Sequence, residues 1–196
     1  LGTSKLTAVQ LQEEFYKLAS SFNIRVSEDE VTVSLSGLNE NFKKASELLE
    51  ELISDPRPDE EALANLVDDI LKQREDAKLS KRTILWSGMF NYGKYGKDNP
   101  FTYRLSEQEL KNIKSKELIS IIKNIFSYKQ RVLYYGPESS SQAVSDINKF
   151  HYTPDELKSL PVKNKFIEKD ITETSVYVVN YDMPQAEIIM LSKAGA

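Results

Sequence analysis

The chain has 196 residues, 40% hydrophobic and 29% charged, with a net charge of −4. That is enough apolar material for one sizeable core, and the mixed charge carries no footprint for nucleic acid. There is no cysteine, which excludes disulfides and thiolate metal sites, and no apolar run approaches the roughly 20 residues that span a bilayer.

The first helix is expected after Thr7, where Thr7 and Gln10 have capping-box spacing. Ala8, Leu11, Phe15 and Leu18 then share a helical face. Ile24 and Val26 alternate with polar neighbours, as do Val31, Val33 and Leu35, so an antiparallel hairpin is expected, turning at Glu28-Asp29. Asn39 is read as the N-cap of the next helix, whose stripe is Phe42, Ala45, Leu49 and Leu52. Asp55-Pro56-Arg57-Pro58 stops that helix, because proline lacks an amide donor and restricts its predecessor. A long helix follows from about Asp59 to Leu79, with Leu63, Leu66, Ile70 and Ala77 on one side and Asp68, Asp69, Gln73 and Asp76 on the other. A further helix runs from about Lys81 to Tyr92 and carries Ile84, Leu85, Met89 and Phe90.

Gly93 to Thr102 reads as a glycine- and aromatic-rich loop ending in Asn99-Pro100. Ser106 and Glu109 form a second capping box, and Ser115 is expected to cap a helix bearing Leu118, Ile121, Ile122 and Ile125. Val132 to Tyr135 is expected as a strand, and Ser139 to Phe150 as a short helix. His151 to Asp170 reads as a connector. Two strands, Ser175 to Tyr181 and Gln185 to Leu191, are expected to close the chain. The fold class is α+β, with helices packed on an antiparallel sheet.

This order resembles a domain of the insulinase/pitrilysin-type zinc metallopeptidases. The segments that carry the resemblance are SLSGLNENFKKASELLEEL, the DPRPDEEAL turn, DDILKQREDAK, YGKDNPFTYRLSEQEL and RVLYYGP. The ending VYVVNYDMPQAEIIMLSKAGA resembles the opening strands of a following domain. The resemblance divides the chain into a truncated α+β domain lacking its N-terminal strands (1–140), a linker (141–170) and the incomplete start of the next domain (171–196). It implies that the chain, which starts at Leu1, is a piece of a longer protein.

In that family a His-x-x-Glu-His helix binds zinc through two histidines and uses the glutamate as general base. The resemblance places that helix before Leu1-Gly2-Thr3, and puts a further glutamate ligand at the position of Ile70. It therefore implies the non-catalytic half, with no catalytic or metal residue and no cofactor in this segment, and with zinc in the catalytic half of the parent. Implied partners are that half, or a partner subunit, and a peptide substrate. The second reading is a non-enzymatic scaffold or assembly subunit of the same fold. The sequence leaves the compartment open between bacterial periplasm and cytoplasm.

Other chemistry has little support. His151 is the only histidine and reads as a solvated linker residue, with Asp155 and Glu156 nearby. There is no Gly-x-Ser-x-Gly elbow, and Gly93-Lys94-Tyr95-Gly96-Lys97 lacks P-loop spacing. Trp86 and its aromatic neighbours read first as core packing where a helix turns into a loop; the second reading makes Phe90, Tyr92, Tyr95, Phe101 and Tyr103 candidate substrate-binding residues, since tyrosine joins apolar area to a polar tip. The terminal strands are expected to dock on the open edge of the Phe22–Ser36 sheet or to pair between chains, giving strand-mediated self-association.

Overall fold

The computed structural model describes residues 1–27, 30–151 and 153–193. The expected turn at Glu28-Asp29 lies outside the described residues. The chain forms two compact units, Leu1–Glu60 with Lys114–Lys163, and Glu61–Ile113 with Asn164–Ala196. The architecture is mixed: helices and a small two-stranded antiparallel sheet.

In the first unit, α1 (Ala8–Lys17) begins at the expected capping box, with Thr7 Oγ1 accepting from Gln10 N and Gln10 Oε1 accepting from Thr7 N. It ends in a Schellman motif: Ala19 N–H donates to Tyr16 O and Ser20 N–H to Phe15 O. The motif puts Ala19 at φ +46°, a left-handed position normally taken by glycine. The hairpin β1 (Ser21–Val26) and β2 (Val31–Ser36) pairs Phe22 with Leu35, Ile24 with Val33 and Val26 with Val31. Its base joins the core of Leu11, Phe15 and Leu52, and the Phe22 ring lies 4.9 Å from Phe15. Toward the tip the apolar face is open, with Ile24, Val26 and Val31 exposed.

α2 (Phe42–Ser54) is preceded by a 3-10 turn, Asn39–Asn41, so Asn39 is not its N-cap. Asn39 instead gives its side chain to the long-range partners Tyr134 and Glu138. α2 buries Ala45, Leu52 and Ile53 and stops before Pro56, as expected. α7 (Ser115–Lys123) places Ser115 inside the helix rather than at its cap. Ser115 is buried and donates both its N–H and its hydroxyl to Glu60, at 3.1 and 2.8 Å. A carboxylate at a helix N-terminus opposes the dipole favourably, so a distant glutamate does the work assigned to the serine. The buried centre of α7 is Ile119, and Ile121 is exposed. α8 (Ser140–Phe150) starts at Ser139, whose hydroxyl accepts from Gln142 N.

The second unit contains most of α3 (Glu60–Lys78), whose inner face centres on Val67 while Leu66 is exposed. Asp68, Asp69, Gln73 and Asp76 are exposed, and Ile70 is half-buried. The next helical stretch comprises α4 (Lys81–Thr83), a π-helical segment Ile84–Met89 and α5 (Phe90–Tyr95), three residues longer than expected. Gly96 ends it at φ +89°, and a Cβ there would meet the Lys169 stem at 2.5 Å. α6 (Glu107–Asn112) starts at the expected Ser106/Glu109 capping box.

The strands expected at Val132–Tyr135, Ser175–Tyr181 and Gln185–Leu191 do not form among the described residues. These segments are irregular, and among the described residues the one ladder is β1 with β2. Residues 171–193 group with the helices of the second unit instead of pairing with β1 or β2. Alternating apolar residues make a strand only where a neighbouring backbone supplies the hydrogen bonds.

Candidate functional site

The candidate aromatic residues are set by the helical stretch from α4 to α5 and by the loop after it. Asn99 organises that loop. It is 1% exposed, and its amide donates to Gly96 O (2.7 Å) and Lys97 O (3.3 Å). Its carbonyl accepts from Phe101 N (3.0 Å) and Thr102 N (3.1 Å). Thr102 Oγ1 adds a bond to Lys97 O at 2.7 Å. One buried side chain thus sets the backbone that carries Phe101 and Tyr103. The Asn-Pro pair announced a loop; the full set of bonds needed the fold.

The aromatic residues do not form one cluster. Tyr92 and Phe101 line a cavity of about 620 Å³, together with Ile84, Gly88 and Met89. Phe90 lines a larger groove, about 1520 Å³, between the helical stretch and residues 169–192. Trp86 packs beside Phe90, with ring centroids 6.5 Å apart, and stays half exposed. Tyr95 and Tyr103 both meet the Phe166 ring edge-on, at 6.2 and 5.7 Å. Sequence reasoning missed two contributors, Phe166 and Tyr177. Tyr177 meets Tyr92 edge-on at 5.3 Å and, though exposed itself, is less so than its neighbours Val176 and Val178.

Polar contacts hold residues 166–193 in this unit. Tyr181 donates its hydroxyl to Leu79 O at 2.6 Å, and Lys169 N donates to Lys94 O at 2.9 Å. Lys94 pairs with Glu168 at 2.8 Å, Lys81 with Glu187 at 3.6 Å and Lys193 with Asp170 at 2.6 Å. The hydrogen bond to Glu168 holds the Lys94 ammonium above the ordinary lysine range. The bond from Lys193 likewise holds Asp170 below the ordinary aspartate range. These pairs are open to solvent, so they orient more than they stabilise.

His151 is not the solvated residue expected. Its side chain is 13% exposed, Nδ1 lies 2.6 Å from Glu50 Oε1, and the ring meets Phe126 edge-on at 5.1 Å. Its partner is a residue of α2, about a hundred positions away, not Asp155 or Glu156. The Nε2 atom is buried and has no hydrogen-bond partner among the described residues.

Among the described residues, no group of three or more His, Cys, Asp or Glu side chains could hold a metal ion. Ile70, the position the resemblance implied for a glutamate ligand, carries no donor atom, Asp68 and Asp69 beside it are exposed, and only the Nδ1 of His151 is taken by Glu50. Among the described residues, no helix is long and apolar enough to cross a membrane.

In sequence and in fold the chain is similar to peptidase-family proteins. It is 22% identical over 132 residues to the beta subunit of the mitochondrial-processing peptidase of Neurospora crassa, a match covering 67% of this chain and 28% of that protein. The chain therefore spans under a third of its curated relative. It also shares its fold with a mutant of the ferredoxin protease FusC in complex with Arabidopsis ferredoxin (TM-score 0.64, 18% identity, 83% of this chain and 18% of that one). A protease from Helicobacter pylori is similar as well (TM-score 0.58, 17% identity, 86% of this chain and 41% of that one). No family model matches. The resemblance to the insulinase/pitrilysin-type family is borne out at this level: a peptidase-family relative in sequence and proteases in fold.

Proposed function

We propose that this chain is part of the non-catalytic half of a zinc-dependent, insulinase-like peptidase, and that it encloses and positions peptide while the other half hydrolyses it. The observation that carries the reading is Ile70. The side chain at the implied glutamate position is apolar and half-buried on α3, within a chain whose relatives in sequence and fold are proteases. A metal-ligating half needs a carboxylate there. On this reading residues 171–196 open the following domain, and the zinc belongs to the catalytic half of the same polypeptide or to a partner subunit.

Peptide contact falls to the aromatic residues, foremost Tyr92 and Phe101, which line a cavity rather than a packed core. The test has two arms. The purified chain is expected to cleave no peptide and to retain no stoichiometric zinc after dialysis; tight zinc binding would overturn the assignment to the non-catalytic half. In the full-length protein, Tyr92→Ala and Phe101→Ala are expected to weaken peptide binding. Unchanged affinity across Phe90, Tyr92, Tyr95, Phe101 and Tyr103 alanine variants would sink the enclosing role.

A further inference from the structure

We infer that the cavity beside Tyr92 and Phe101 selects an extended peptide segment in which an apolar side chain adjoins Asp or Glu. The inference rests on the peptide-enclosing reading above and names the substrate class for that site. A volume of about 620 Å³ falls in the range of ligand sites, roughly 300–1,000 Å³. Ile84, Met89, Tyr92 and Phe101 give it an apolar floor that suits a large aliphatic or aromatic side chain.

Its charged lining has one sign. Arg74, Lys78 and Arg104 line it, and no Asp or Glu does. These cations differ in how far they are already satisfied. Lys78 is paired with Glu75 at 2.6 Å. Arg74 donates from Nη1 to Leu105 O at 2.7 Å, which leaves other donors of a five-donor guanidinium. Arg104 has no carboxylate partner among the described residues and lies over the Phe101 ring at 5.4 Å. Lys169, likewise without an ion pair among the described residues, lies over the Tyr92 ring at 5.1 Å. Arg104 thus stands on one aromatic wall of the cavity, while Lys169, which lines the adjoining groove rather than this cavity, stands over the ring of the other. An incoming carboxylate there meets charge without displacing a resident acid, and Arg104 offers it a bidentate fork.

Residues 176–179 already run past the cavity as non-helical chain without a ladder, with Tyr177 against Tyr92. The cavity thus already takes non-helical chain along one of its walls. Charge complementarity commits the site to an acidic peptide, and the apolar floor commits it to an adjoining hydrophobic residue.

The experiment is fluorescence anisotropy on the full-length protein with two fluorescein-labelled decapeptides. They are identical except for a central Leu-Phe-Glu-Asp or Leu-Phe-Lys-Lys. The acidic peptide should bind about tenfold tighter at low salt, and the preference should shrink as ionic strength rises. Arg104→Glu should remove most of that preference. Lys169→Glu, an exposed position, should reduce it in the same direction and covers the case in which the Arg104 variant does not fold. Equal affinity for both peptides, unmoved by either variant, overturns the acidic preference and leaves the enclosing role standing. Binding of neither peptide removes the enclosing role and the inference with it.

Discussion

Replacing Asn99 by alanine should loosen the loop that carries Phe101 without disturbing the first unit. The side chain is 1% exposed and serves four backbone groups between Gly96 and Thr102. The bond to Lys97 O is long, and Thr102 N has a second acceptor in Asn99 O, so these two contribute little. Gly96 O and Phe101 N are the groups left without that partner in the variant. A buried group left without its hydrogen-bond partner costs about 1–3 kcal/mol, so a local loss of about 2–6 kcal/mol is expected for the two. The assay is native-state hydrogen exchange at the Phe101 amide, whose bond to Asn99 Oδ1 is 3.0 Å. A loss of 2 kcal/mol corresponds to roughly 30-fold faster exchange. Asn99→Asp should fall between, because it keeps an acceptor for Phe101 N and loses the donor to Gly96 O. If Phe101 exchanges in Asn99→Ala within twofold of the parent rate, Asn99 does not hold the loop and the reasoning fails.

Two further outcomes follow from the helix termini. Ala19→Gly should stabilise the first unit by about 0.5–1 kcal/mol, since the left-handed position penalises a Cβ by roughly 1–2 kcal/mol and glycine's unfolded-state entropy returns part of that; an unchanged or lower urea midpoint would contradict it. Glu109 is held below the ordinary glutamate range, first by the Ser106 backbone N–H and then by the Ser106 side chain. A lowered folded pKa means that its contribution is present above the unfolded value and is lost as pH falls through the folded one. Acid titration should therefore fray α6 below the ordinary glutamate range. Glu109→Gln, which keeps a capping oxygen, should flatten that part of the curve; an identical acid profile would count against the assignment.

What was legible in the sequence is local. The Thr7/Gln10 and Ser106/Glu109 boxes, the proline stop before α3 and the antiparallel pairing of β1 with β2 follow from residues a few positions apart, and each stands in the structure. What failed depended on partners far along the chain. Ser115 looked like a cap until Glu60 supplied the carboxylate. His151 looked solvated until Glu50 and Phe126 enclosed it. The apolar faces of α3 and α7 centre one residue away from those expected, on Val67 and Ile119, because a stripe has no preferred edge until a neighbour covers it.

The candidate site divides the same way. Its aromatic residues were visible as a composition, and the loop as an Asn-Pro turn. Only the tertiary structure decided that Tyr92 and Phe101 share a cavity while Tyr95 and Tyr103 turn to Phe166. Only it set Arg104 over the Phe101 ring and Lys169 over the Tyr92 ring. Residues 175–191 show the limit most plainly. Alternation alone asked for two strands, but a strand is completed by another backbone, and here that chain lies on helices instead. By itself the sequence determined where helices start and stop, because capping and proline chemistry act within a turn. Which faces are buried and which side chains meet was left to packing, because those energies belong to pairs the sequence keeps far apart.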